Sequence, residues 1–349
     1  DGYIHNDTFI GGKPVERTDT NNIDEFSVRG LLNVDVNQDL SAQFILHFFD
    51  FNNGYDAFSL NQSRVTYSDQ PGSDDQETKT LGVKVNYTGL DVANIAVNMS
   101  NRSHQSVYSY DEDWTYVGYH PDEYSSTDTY IRDRAATQVD IRVIDKNDKW
   151  VVGLYDQERM VNLEREYTWL TRDFHSHNEQ DNTALYGEYR FALNQDITIN
   201  AGLRVENTTY YYADNSGAFN GEESESDTMV GGHFTASKFY SDELMVYTRL
   251  SRGFKTGGIN GQALGELNNP DLERFYPLLK ANSSFKPEVL NNVELGVRYN
   301  NVKRGIKANA VLFHSRREDM QVKQWFTNDR EVQEEGATPI FVGYLSNAP

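Results

Sequence analysis

Apolar and polar residues alternate with a period of two along most of this chain. Phe26, Val28, Leu32, Val34 and Val36 fall on one side of an extended run, Asn37, Gln38 and Asp39 interrupt it, and Leu40, Ala42, Phe44, Leu46 and Phe48 resume on the way back. Successive side chains of a strand point to opposite faces, so this spacing predicts two antiparallel strands joined by residues that favour tight turns. The unit recurs with turns at 89–91, 146–148, 194–196, 241–243 and around 300–305. About a dozen strands result. In the stretch from Leu244 to Asn260, the strand positions Leu244, Val246, Thr248 and Leu250 oppose Met245, Tyr247, Arg249 and Ser251, and a segment bearing Gly253, Gly257 and Gly258 reads as a flexible exit from it.

The connections are one-sided. Every short turn falls at one end of the strands, and the long connections 53–75, 101–133, 159–181, 207–227, 254–286 and 319–338 fall at the other. The acidic run 221–227 is expected to be a solvated loop. Ile197, Ile199, Ala201, Leu203 and Val205 form an apolar row against Thr198, Asn200, Gly202, Arg204 and Glu206. Lys84, Asp140, Arg142, Glu188, Arg190, Glu294, Arg298 and Lys307 likewise oppose apolar rows. Charges avoid hydrocarbon unless paired or wet, so the polar rows should look into a hydrated or plugged interior while the apolar rows meet lipid. Tyr87, Tyr240 and Tyr299 just before short turns, and Trp150 just after one, resemble an aromatic girdle at the periplasmic interface. The predicted fold is therefore all-β, an antiparallel transmembrane β-barrel present in part. A soluble sandwich with one wet face shares the alternation and is the competing architecture.

Composition narrows the field. The chain has 349 residues, no cysteine, and 32 basic against 53 acidic side chains for a net charge of −21, which leaves no basic footprint for nucleic acid and no thiolate or disulfide chemistry. The 22 tyrosines and 18 phenylalanines suit strands and lipid–water boundaries. Mean hydropathy is −0.70 and no apolar run is long enough for a membrane helix, a constraint that a barrel escapes because only alternate residues meet lipid. The start has no signal-peptide pattern and the strand-like 340–348 has no partner in view, so the chain is expected to be an internal segment.

Two stretches carry a family resemblance. SRGFKTGGIN at 251–260, followed by FKPEVLNNVELGVRYN at 285–300, resembles the paired strand-end and strand-start signature of TonB-dependent receptors. Pro287, Glu288, Glu294, Leu295 and Gly296 stand at matching positions, while Val293 and Arg298 replace the usual aromatic and lysine. The opening DGYIHN and closing YLSNAP also resemble segments of that family. The resemblance implies a bacterial outer-membrane barrel of about 22 strands around a plug. On this view residues 1–349 are part of the barrel domain, with the plug and the last strands lying outside this chain. It also implies an import function with four partners: outer-membrane lipid, the protein's own plug, a small-molecule ligand, and the TonB complex reached through an N-terminal region. Siderophore, cobalamin and carbohydrate receptors share these motifs, and a passive porin or a carbohydrate-binding sandwich are the rival functions.

No catalytic group is expected. GxSxG, HExxH and a glycine loop entering a helix are all missing from the sequence, and the acidic groups 74–75, 111–113 and 214–217 lack EF-hand spacing. No cofactor or metal is expected either, although His175 and His177 would point the same way beside Asp173 and Glu179. The candidate ligand-binding residues are Trp114, Tyr116, Tyr119, His120, Trp169, His175 and His177, exposed aromatics and imidazoles on long connections. Packing of loop against loop is the alternative role for those rings. Glu188, Arg190, Arg204, Glu206, Arg249 and Arg298 are the candidate lumen and plug contacts.

Overall fold

A computed structural model describes residues 2–56, 58–120, 124–170, 172–216, 222–267, 269–327 and 341–348. Its body is a 12-stranded antiparallel sheet in which each strand pairs with the next one in the meander. The strands are β1 (Glu25–Asp35), β2 (Leu40–Tyr55), β3 (Gly72–Tyr87), β4 (Ala93–Asp111), β5 (Thr127–Asp145), β6 (Trp150–Tyr167), β7 (Phe174–Ala192), β8 (Ile197–Asp214), β9 (Glu222–Phe239), β10 (Leu244–Lys255), β11 (Glu288–Asn301) and β12 (Ile306–Glu318). The sheet ends at β1 and β12, which do not pair with each other, so it is a length of barrel wall and not a closed barrel.

Register decides which residues share a face. Ile141 stands across from Leu154, Leu154 from Leu185, Leu185 from Val205, and Val205 from Val230. All five are exposed, as are Phe44, Leu46, Leu81 and Leu203 on the same side. An apolar row this exposed and continuous is the lipid-facing surface of a membrane barrel. Tyr87, Trp150, Tyr189, Tyr240 and Tyr299 belong to the same face at its short-turn end, in agreement with the expected girdle.

The strands outrun the membrane. Crossing the apolar layer takes about 9–11 tilted residues, yet β4, β5 and β7 have 19 each. Their upper halves therefore stand clear of the lipid, where the outward residues include Asp133, Asp156, Asp181 and Asn207. This corrects the expected long loops. The connection at 101–133 shrinks to 112–126, that at 159–181 to 168–173, and the acidic run 221–227 is mostly the start of β9. With water on both faces, nothing forces alternation there, although the ladder continues.

Three further corrections concern the connections. Phe341–Ala348 does have a partner, pairing antiparallel with Met320–Thr327. The segment after β10 is folded: Gly258–Ile259 pairs with Ser284–Phe285, and short helices span Gly261–Gly265 and Tyr276–Ala281. Ala263, Leu272, Leu279, Val342 and Tyr344 bury one another there, flanked by Phe275 and Phe326. Asn260 fastens the insertion to the closing strand, donating to the Leu345 carbonyl at 2.7 Å and accepting from its N–H at 2.9 Å. At Gly257 any Cβ would stand 2.5 Å from the Phe285 carbonyl oxygen, so the glycine serves close packing and not a flexible exit. At the start of the chain, His5–Ile10 pairs with Lys13–Arg17 and, in parallel, with Val65–Thr66, placing this small sheet at the long-connection end. Asp1, Gly217, 328–338 and Pro349, which the sequence arguments touched, lie outside the described residues.

Candidate functional site

The inner wall is polar and cross-linked in tiers. Low on β5–β8, Asp140 accepts from Arg142 Nε at 2.8 Å and from the Tyr186 hydroxyl at 2.6 Å. The Tyr186 ring lies over Gly153 of the next strand, where a Cβ would collide with it. Across from Tyr186, the Arg204 guanidinium is held 4.9 Å from the Tyr155 ring centre and donates to Glu206 at 2.8 Å. The Asn182 amide then donates to both Glu206 and Thr208 at 2.8 Å. Two of the four lumen candidates on β7 and β8, Arg204 and Glu206, thus form one pair within a network that satisfies its own charges.

Glu188 and Arg190 lie nearer the short-turn end. With Asn200, His233 and Arg249 they line one groove. Asn200 donates to Glu188 at 2.6 Å and accepts from His233 Nε2 at 2.8 Å. Arg249 stands across from Glu294, and Arg298 lies 5.3 Å from the Tyr247 ring centre. All six lumen candidates share the inward face by register.

Above the lipid level the wall carries a second tier that sequence reasoning did not single out. Asp128 is 1% exposed and receives both Arg165 Nε at 2.8 Å and Nη2 at 2.7 Å, together with the Tyr110 and Tyr130 hydroxyls at 3.0 Å. The Asp128 hydrogen bond holds the Arg165 guanidinium above its ordinary value, while burial pushes the Tyr110 and Tyr130 hydroxyls up. Arg165 also sits over the Tyr130 and Tyr167 rings. The clue was available in the row Asp128, Tyr130, Arg132, Arg134, which continues the inward parity of Asp140 and Arg142 up the strand.

The ligand candidates divide between loop packing and the outer face. Trp114 stacks on Phe58 with ring centres 5.0 Å apart, Tyr116 packs against Phe9 at 5.0 Å, and Tyr119 contacts Tyr67 at 5.1 Å and His120 at 4.6 Å. These rings therefore join 112–120 to the β2–β3 connection and the first hairpin, loop against loop. Trp169, 58% exposed, touches Tyr124. His175 and His177 do point the same way, but the register that turns Leu185 outward turns them outward too. They lie on the outer surface above the lipid, beside Asn162, Glu164 and Asn215. Both His177 ring nitrogens are occupied, by Asn162 Oδ1 at 2.5 Å and Glu179 Oε1 at 2.8 Å. The acidic trio Glu164, Glu166 and Asp173 nearby includes neither histidine.

Similarity to known proteins agrees with this architecture. A model of the TonB dependent receptor-like β-barrel matches residues 14–345. The pesticin receptor of Yersinia enterocolitica is 28% identical over 196 residues, which is 54% of this chain and 26% of the receptor. The ferric yersiniabactin uptake receptor FyuA from Yersinia pestis superposes with a TM-score of 0.62 at 17% identity, covering 92% of this chain and 49% of that one. The copper transporter OprC gives 0.60 at 13% identity, covering 93% and 48%. The chain thus spans about a quarter of the curated relative and about half of each solved structure. With its apolar outer band, polar inner wall and matching family model, this chain belongs to the TonB-dependent receptor β-barrel family of the bacterial outer membrane.

Proposed function

We propose that this chain forms part of the barrel wall of a receptor that captures an extracellular nutrient of the ferric-siderophore class and imports it in a TonB-energised step. The observation that carries the reading is the two-tier inner wall, which is polar and hydrogen-bonded from the short-turn end to well above the lipid. Such a wall suits a lumen that holds a plug and a hydrated path, because the paired charges of both tiers are already satisfied when the path opens. The ferric yersiniabactin uptake of FyuA supports the siderophore class over cobalamin or carbohydrate. The plug and TonB contact belong, on this reading, to the remainder of a longer protein. No bond is made or broken. Ligand and applied force act by shifting the population of plug positions.

Uptake of radioactive iron from a panel of ferric chelates, ferric yersiniabactin included, tests this in cells with and without a proton gradient. Accumulation of one chelate should stop when the gradient collapses. Uptake that continues undiminished points to a passive porin, and failure of every chelate removes the substrate class.

A further inference from the structure

Between the Asp128–Arg165 tier and the Asp140–Arg142 tier lies a stretch of inner wall rich in arginine. Arg102 of β4 and Arg159 of β6 stand directly across from Ala136 of β5, one on either side. Facing Cα atoms in an antiparallel pair are about 5 Å apart, so these two arginines are rooted about 10 Å from each other. Arg134 comes two residues further up β5, across from His104, and Arg132 two beyond it, its guanidinium 4.8 Å from the Tyr130 ring centre. All four share the inward parity of Asp140 and Arg142.

Among the described residues none of the four has a carboxylate partner, in contrast to Arg142, Arg165 and Arg204. Their inward neighbours by register are Thr78, Thr80, Gln138, Gln157, Asn178 and Gln180, all neutral. Asp133 and Glu158 adjoin them in sequence but face outward by the same parity. In a chain with 53 acidic and 32 basic residues, such a gap in the acids is the reverse of the average surface. Arg134 is driven below its ordinary value by burial and by the charges of Arg132 and Arg102, with no acid offsetting them. Burial and the charges of Arg134 and Arg102 lower His104 as well, whose ring lies against the Thr78 hydroxyl. Like charges gathered without counterions cost free energy that a bound anion would return, and guanidinium groups bind carboxylate and phosphate by paired hydrogen bonds.

We propose that Arg102, Arg134 and Arg159, with Arg132 at the upper rim, form an anion subsite that selects a solute carrying two or more carboxylate or phosphate groups. The proposal rests on the receptor reading above and adds the charge class of the captured solute. Acidic residues of the receptor's own plug share this chemistry, so the test separates the two sources.

The full-length receptor in detergent micelles is titrated calorimetrically with tricarballylate and with inorganic pyrophosphate, at low and high salt, with sucrose as the neutral control. Both anions should bind, sucrose should not, and added salt should weaken binding. The combined Arg102→Gln, Arg134→Gln and Arg159→Gln variant should bind at least about tenfold more weakly. Arg134→Lys, which keeps the charge, should retain most of the affinity and so controls for a folding defect. Equal binding by parent and triple variant overturns the subsite. So does a parent that binds neither anion, and a lower melting midpoint in the triple variant would then give these arginines to the plug. Gradient-driven uptake of a ferric chelate that survives in a triple variant lacking anion binding would remove the subsite and leave the receptor reading standing. Gradient-independent uptake would remove that reading without touching the micelle titration.

Discussion

Around and below the row Ile141, Leu154, Leu185 and Val205 the outward side chains of β5–β8 are mainly apolar, whereas above it they come to include Asp133, Asp156, Asp181 and Asn207. The backbone ladder passes through this boundary without a break in register. Only the solvent on one face changes. In the lower half the lipid enforces alternation, since each strand must show hydrocarbon to one side and its charges to the other. In the upper half water wets both faces, and order depends on the ladder plus individual side-chain devices such as the buried Asp128–Arg165 pair. The same β-structure is thus held by its surroundings in one half and by specific contacts in the other.

The largest effect that should separate the halves comes from breaking that pair. Arg165→Met leaves the Asp128 carboxylate buried without its bidentate partner and should cost about 3–5 kcal/mol, confined to the upper ends of β4–β6. Amide exchange should accelerate there and stay slow around Leu154. Uniform exchange in both regions would mean that the two halves unfold as one.

Next comes the lipid face. Leu203→Arg should destabilise the folded barrel by about 2–4 kcal/mol in bilayers, while Thr209→Arg, on the same face of β8 but above the lipid, should stay within about 0.5 kcal/mol. Chemical unfolding in vesicles measures both, and equal costs would contradict the assigned membrane boundary.

A pH effect should be confined to the upper region. Burial is the main cause that pushes Asp111 up to about 7, helped by Asp113 and Asp69, while its Oδ1 accepts from the Trp114 N–H at 3.2 Å. Since the folded value lies above the unfolded one, this group's stabilisation is complete below the unfolded value near 3.8 and is lost as pH rises through about 7. Residues 112–120 should therefore exchange more slowly at pH 5 than at pH 8, and Asp111→Asn should flatten the profile. The smallest change expected is that of Trp114→Ala. Loss of its stack on Phe58 should loosen the join between two connections by about 0.5–1.5 kcal/mol, read as faster exchange in residues 58–68. An unaltered rate would leave Trp114 free of this packing role.

What was legible in the sequence follows from the same contrast. The strands around Phe44, Leu154, Leu203 and Leu250 could be read because lipid imposes period two, and with them the short turns, the girdle and the lumen faces of Arg204 and Glu188. The upper strand segments read as loops because residues such as Thr129, Asp181 and Ser226 carry no apolar signal. That His175 and His177 share a side is legible from their spacing, but which side depends on register counted from Leu185 across an uninterrupted ladder. The pairing of Phe341–Ala348 with Met320–Thr327 and the core under Asn260 join residues too far apart for any local pattern to reveal.

By itself the sequence determined that alternate side chains must meet opposite environments, because an extended backbone throws them to opposite faces and only one face of each run can tolerate hydrocarbon. The tertiary structure alone decided how far the ladder continues beyond the lipid, which aromatic rings spend themselves on packing, and which arginines find a carboxylate. Those outcomes depend on the residue that register places on the neighbouring strand, a relation between positions dozens of residues apart.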